Sequence, residues 1–371
     1  MNARFLLLAC VAAGVGVSTA ADVGNFAPLP DVMAAEANPV TAAKIDLGRM
    51  LYYEPRLSRA QDVSCNSCHP LNNYGADGKP VSSGFRGLQG DRNAPTVYNA
   101  AGHFVQFWDG RAPDVEEQAK GPVMNPVEMA MPSQERAVAV LKSMPAYVRA
   151  FQRAFPGEPE PVTFDNMAKA IGAFERKLVT PARWDRYLRG DVNALTAAEK
   201  AGFDQFVAAG CAGCHSGAYL GGGQYQKLGL VRPWTDATDP GRFNVTKREA
   251  DRLVFKVPSL RNIEKTGPYF HNGRVASLEQ AVQLMAQYEL GKDLNADGTR
   301  AITTWLKSLT GEIPRDYIRE PQLPKSTAKT PMPEIADWLG CAAQDHTSRN
   351  SMGLPCDSLM GRPMLLMYSF W

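Results

Sequence analysis

Cys65-Asn66-Ser67-Cys68-His69 has the clearest chemistry of any stretch in the chain. Two thiols two residues apart can each form a thioether to a vinyl group of one porphyrin, and the adjoining imidazole then faces the iron from the proximal side. The pattern is the attachment signature of c-type haem. It returns as Cys211-Ala212-Gly213-Cys214-His215. One copy alone is also compatible with structural zinc or a redox dithiol. Two copies, each with a trailing His in a chain of only 5 His, point to two covalently bound c-type haems with His69 and His215 as iron ligands.

Each motif needs a helix to deliver it. Thr41 is placed to cap a helix with Ile45, Gly48, Leu51 and Tyr52 on one face. Thr196-Ala-Ala-Glu199 is a capping box, and Gly202, Phe203 and Phe206 carry that helix towards Cys211. Gly48-x-x-x-Tyr52 and Gly202-x-x-x-Phe206 are the same device twice. The glycine admits a close helix crossing, and the aromatic packs beside the haem. Crossing partners follow later. Thr163 opens a helix with Phe164, Met167, Ile171, Phe174 and Leu178, and Asn295 opens one with Ile302, Trp305, Leu306 and Leu309.

This internal duplication resembles two tandem class I cytochrome c domains. Strand patterns are scarce and the stretches after each motif are rich in Gly, Pro and Asn. The expected fold is mostly α, with two cytochrome c-like domains and long ordered loops. A signal peptide is expected over 1–20, the N-terminal domain over 21–180 and the C-terminal domain over 181–320. A wrapping arm and irregular tail follow over 321–371.

The 371 residues are 44% apolar and 21% charged, the composition of a soluble globular chain. A net charge of +2 argues against nucleic acid or a membrane surface as partner. Arg4, the apolar run Phe5 to Val17 and Ser18-Thr19-Ala20 read as a cleavable secretory signal, too short to span a bilayer. Cys10 faintly resembles a lipoprotein box, but cleavage near Ala20 is the preferred reading. Export suits covalent haem, so the mature chain is expected in the periplasm. There a Cys341–Cys356 disulfide is permitted but not required.

With two haem motifs in hand, Gln106-Phe-Trp-Asp-Gly-Arg111 resembles the corresponding stretch of bacterial di-haem cytochrome c peroxidases. So do Arg92-Asn-Ala-Pro-Thr96, Glu117-Gln-Ala-Lys-Gly-Pro122, Val127-Glu-Met129 and Pro268-Tyr-Phe-His-Asn-Gly273. The similarity runs in family order up to about Gly311. The branch that matures the methylamine dehydrogenase cofactor shares much of it.

The resemblance implies a peroxidatic haem on the first motif and an electron-accepting haem on the second. The second is supplied by a small donor cytochrome c or cupredoxin, and hydrogen peroxide is the substrate. Met285 matches the distal ligand of the second haem, where a thioether raises the potential. Its bland alternative is packing on an apolar helix face with Ala281 and Leu284. Glu128 matches the distal carboxylate and Gln118 its neighbouring amide; alone, Glu128 also reads as an exposed loop acid. Trp108 matches an aromatic between the haems, or simply core. The Asn93 side chain and the Thr266 and Pro268 carbonyls match a calcium site between the domains, with oxygen donors suited to a hard cation. His271 reads as an interface hydrogen-bonding group, and His103 and His346 are left without a role. A homodimer is left open.

One position departs from the family. Phe85 stands where many members carry a His that blocks the peroxidatic iron at rest, and phenylalanine has no lone pair. Either the site rests open or another group such as His103 closes it. Two rivals to the peroxidase remain. A maturase-like di-haem oxidase would use Tyr rather than Met285, and a non-catalytic electron carrier would need neither Gln118 nor Glu128.

Overall fold

The structure is a computed structural model, and it describes residues 23–334. The expected signal segment, Cys10, Cys341, His346 and Cys356 lie outside the described residues. Helix α1 (Ala42–Tyr52) starts where the Thr41 hydroxyl accepts the Lys44 N–H. It leads to α2 (Cys65–Cys68), the first motif itself. A long stretch of turns and isolated bridges follows before α3 (Val115–Met124), α4 (Gln134–Lys142), α5 (Pro145–Ala154) and α6 (Phe164–Glu175). α1 and α6 meet at Gly48, where a Cβ would stand 1.9 Å from the Ala170 carbonyl oxygen. Around this crossing Leu47, Leu51, Tyr52, Val140, Tyr147, Phe151, Met167, Ile171 and Phe174 form one apolar core.

The second half repeats the arrangement. After α7 (Arg183–Leu188), α8 (Ala197–Ala209) begins with the Thr196/Glu199 capping box and ends at Gly210, in the left-handed region at φ 101°. Cys211 follows directly. Two short strands, β1 (Tyr225–Lys227) and β2 (Val254–Lys256), pair antiparallel with Gln226 opposite Phe255, and α9 (Phe243–Thr246) lies between them. Then come α10 (Leu278–Leu290) and α11 (Ala296–Lys307). α8 crosses α11 at Gly202, where a Cβ would stand 2.1 Å from the Ala301 oxygen. The second core holds Trp184, Phe203, Phe206, Ile302, Trp305 and Leu306. As expected, the structure is mostly helical with long connections.

The two ends of the described chain exchange cores, which the sequence pattern did not indicate. Phe26, ahead of α1, packs in the second core, with ring centroids 5.8 Å from Trp184 and 5.2 Å from Phe203. Ile318, after α11, belongs to the first core. The Tyr53 hydroxyl donates to its carbonyl at 2.6 Å, and the Tyr317 hydroxyl donates to the Phe174 carbonyl at 2.7 Å.

The Gly202 crossing leads to a stability prediction. Gly202→Ala forces α8 away from α11 and should cost about 1–3 kcal/mol, the usual penalty for overpacking a tight contact. Chemical denaturation of the variant measures it. An unchanged midpoint would mean that the α8–α11 contact tolerates an added methyl group.

Candidate active site

The two Cys-x-x-Cys-His motifs fold alike. In the first, the His69 N–H bonds the Cys65 carbonyl at 2.9 Å; in the second, the His215 N–H bonds the Cys211 carbonyl at 3.0 Å. α1 fixes the first motif directly, because the Tyr52 hydroxyl donates to the His69 carbonyl at 2.8 Å. The corresponding aromatic, Phe206, lines the cavity beside Cys211 and Cys214.

The imidazoles are prepared in the same way. His69 Nδ1 lies 3.2 Å from the Gly75 oxygen, and His215 Nδ1 lies 3.1 Å from the Leu220 oxygen. A carbonyl only accepts, so Nδ1 carries the hydrogen and Nε2 keeps its lone pair for a metal. Burial lowers both histidines below their usual range, which favours the neutral, ligating form. The thiols do not suit the rival chemistries. Burial raises Cys65 well above the ordinary thiol range and Cys211 to about 11, whereas redox dithiols have lowered values. Among the described residues no three His, Cys, Asp or Glu side chains converge as a metal-binding group. The residues fit a haem with a proximal imidazole at each motif.

The surroundings of the two motifs differ. Near the first stands Glu128, whose charge is close enough to raise both Cys65 and Cys68. Glu128 follows α3 in a turn where its N–H bonds the Asn125 carbonyl at 3.0 Å. Asn125 Nδ2 donates to Glu128 Oε1 at 2.6 Å, which fixes the carboxylate. Burial raises Glu128 above the ordinary carboxylate range, and the Arg111 charge and the Asn125 hydrogen bond oppose this only in part. A buried carboxyl held in this way is of the type that can receive and return a proton. Gln118 is half-buried on α3, and no hydrogen bond joins it to Glu128.

Phe85 is buried and tied to that carboxylate's own residue. Its N–H donates to the Glu128 carbonyl at 2.6 Å, and a Cβ on Gly84 would stand 2.3 Å from the Val127 oxygen. The ring packs near the Arg59 and Arg86 guanidinium groups, at 5.8 and 5.2 Å. His103 is not in this loop. It contacts Lys256 instead, at 3.1 Å.

At the second motif, Cys211, Cys214, His215 and Met285 line one largely apolar cavity. Met285 and Ala281, one turn apart on α10, both face it. The same cavity reaches Trp108, Asn93, Thr266, Pro268 and His271. Trp108 Nε1 donates to the Asn93 carbonyl at 2.9 Å, and the Asn93 N–H donates to the His271 carbonyl at 2.7 Å. Asn93 Nδ2 is used on the Lys79 carbonyl at 2.9 Å, which leaves the amide oxygen as the donor atom for a cation. His271 is buried, stacks on Phe255 at 4.4 Å and lies 4.0 Å from Asp239. Arg92 spans the same junction, with bonds to Asp109 at 2.6 Å and to both oxygens of Asp239 at 2.6 and 2.9 Å.

The sequence reading missed Asn125, Arg111 and Lys256. Asn125 and Arg111 sit inside or beside quoted motifs, but no spacing rule links Asn125 to Glu128. Lys256 had no signal, since a lysine in a short apolar run reads as a solvated charge.

Comparison with known proteins agrees with this geometry. A family model described as di-haem cytochrome c peroxidase matches residues 42–193. The cytochrome c551 peroxidase of Pseudomonas aeruginosa is 46% identical over 315 residues, which cover 83% of this chain and 90% of that protein. The cytochrome c551 peroxidase of Nitrosomonas europaea is 48% identical over 295 residues, 79% of this chain and 87% of that one. Among solved structures, a MauG-like protein associated with microbial copper homeostasis superposes with a TM-score of 0.71 at 29% identity, covering 79% of this chain and 97% of the other. Identity of this order over most of both chains, together with the family match, makes this chain a member of the di-haem cytochrome c peroxidase family.

Proposed function

We propose that the protein is a periplasmic di-haem peroxidase. It reduces hydrogen peroxide to two waters with two protons and two electrons drawn from a small donor cytochrome c or cupredoxin. Family membership and relatives named as peroxidases support the reaction. The observation that carries the mechanism is Glu128, buried and held by Asn125 within electrostatic reach of Cys65 and Cys68.

In this reading Cys65 and Cys68 attach one haem, Cys211 and Cys214 the other, each within a cytochrome c-like domain. His69 and His215 are the proximal ligands. When bound at the first motif, haem would supply the redox chemistry of peroxide reduction. Glu128 takes the proton from the inner peroxide oxygen and returns it to the departing one. Asn125 keeps its carboxylate in place, and Gln118 lies on the neighbouring helix as a second polar group. Met285 would supply a thioether to the second haem, which is supported by its place in the same cavity as His215. Trp108 stands in that cavity's wall as a stepping stone between the two sites. Asn93 Oδ1 and the Thr266 and Pro268 carbonyls hold a calcium ion; their shared cavity supports this, and elemental analysis of the dialysed protein tests it. Among the described residues no helix is long and apolar enough to cross a membrane.

Three outcomes test the reading. Glu128→Gln should cut peroxidase turnover about 100- to 10,000-fold, the usual share of a general acid–base group, with spectra intact. Near-normal turnover would assign the proton to another residue. Met285→Ala should lower the potential of the second haem while both haems stay attached, because the thioethers and His215 remain. An unchanged potential would remove Met285 from the ligand set. The third concerns activation. The segment 84–90 reads Gly-Phe-Arg-Gly-Leu-Gln-Gly and offers no strong iron ligand. Oxidised protein mixed with stoichiometric peroxide in a stopped-flow spectrometer should therefore show a prompt Soret change without prior reduction. Protein that stays inert until one electron is added would mean that a ligand from elsewhere closes the site.

A further inference from the structure

The mechanism leaves His103 and Lys256 without a task. They come from different halves of the chain, yet Lys256 Nζ lies 3.1 Å from His103 Nδ1. An ammonium only donates, so Nδ1 accepts and the hydrogen of the neutral ring sits on Nε2. That Nε2 is buried and has no hydrogen-bond partner among the described residues. Lys256 is 7% exposed and His103 9%. Among the described residues no carboxylate acts on the ammonium, and burial pulls it down to about 8. A buried cation without a counter-charge, beside a buried N–H without an acceptor, is costly twice over. Both deficits are met by one anion.

The pair lines the cavity that also holds Cys211, Cys214 and His215. The site is built for it. A Cβ on Gly222 would stand 2.3 Å from His103 Cδ2, so only glycine lets the ring lie there, and Tyr219 meets the ring edge-on at 5.6 Å. Lys256 is fixed from its other end, its N–H donating to the Trp108 carbonyl at 2.7 Å. We propose that His103 Nε2–H and the Lys256 ammonium together hold a propionate carboxylate of the haem attached at Cys211 and Cys214. The anchor places that carboxylate on a lysine whose own backbone is bonded to that of Trp108. It rests on the haem attachment proposed above, and it assigns two residues for which that reading had no role.

A cation beside the propionate favours the less positive, ferrous state of its haem. Lys256→Met keeps the side-chain length and removes the charge. At a fixed poise the ferric-to-ferrous ratio of the second haem should then rise about tenfold, the scale of one unit charge acting across a haem at an effective dielectric near 20. The first haem should keep its ratio, and Lys256→Arg should stay near the parent protein. Resonance Raman should show the propionate bending mode of the second haem shifted in Lys256→Met and in His103→Phe. Haem content by pyridine haemochrome separates the two layers of the argument. Two haems per chain, with ratio and Raman mode both at parental values in Lys256→Met, overturn the anchor while the attachment stands. Fewer than two haems in the unsubstituted protein overturn the attachment and the anchor with it. If Lys256→Met does not accumulate, His103→Phe decides by the same Raman criterion.

Discussion

A single buried ion pair holds together segments that are far apart in sequence. Arg261 and Asp185 have side chains with 0% exposure, and Arg261 Nη1 lies 2.8 Å from Asp185 Oδ2. Desolvating two charges is repaid only when the remaining donors and acceptors are also satisfied. Here they are. Asp185 accepts the Leu29 and Ala182 N–H groups, each at 2.7 Å, and Arg261 donates from Nε and Nη2 to the Ala218 carbonyl. The pair therefore ties the leading arm, the link between the cores and the loop just past His215 to one point. Close by, Thr180 Oγ1 accepts from Asn99 Nδ2 and Asn262 Nδ2, both at 2.9 Å, joining the first half to the second through another buried set.

With the halves joined in this way, two near-identical devices differ in what surrounds each motif. The helix crossings at Gly48 and Gly202, the i to i+4 bonds within the motifs and the Nδ1 contacts with backbone carbonyls match closely. A buried carboxylate answers the first motif, and a thioether-bearing helix answers the second. The duplicated frame sets where a haem can sit. The unduplicated segments, 84–130 on one side and α10 on the other, make those surroundings different.

Much of this frame was legible because its signals are local. Capping residues Thr41, Thr163, Thr196 and Asn295, glycines at helical spacing from aromatics, and Cys-x-x-Cys-His all announce themselves within a few residues. What was not legible depends on contacts across long separations. The exchange of Phe26 into the second core and Ile318 into the first leaves no periodic trace, so a boundary drawn near 180 follows the motifs but not the arms. The Lys256–His103 contact joins residues 153 apart, and neither stands in a helix whose face could suggest it. Arg92 was visible only as part of a motif. Its fork between Asp109 and Asp239 needs the folded junction.

The Phe85 loop shows how such contacts bear on function. In the absence of a ligating side chain, the loop could be taken for a relic with no part in the site. The geometry argues otherwise, because the Phe85 N–H is bonded to the carbonyl of Glu128 itself and Gly84 packs against the Val127 carbonyl with no space for a side chain. On the other side of this turn, the Arg59 N–H bonds the Met129 carbonyl at 2.8 Å. Loop and carboxylate thus form one body, pinned from both sides. Any motion that carries residues 84–90 away must therefore also pull on the backbone of Glu128, whose carboxylate Asn125 holds from within the same turn.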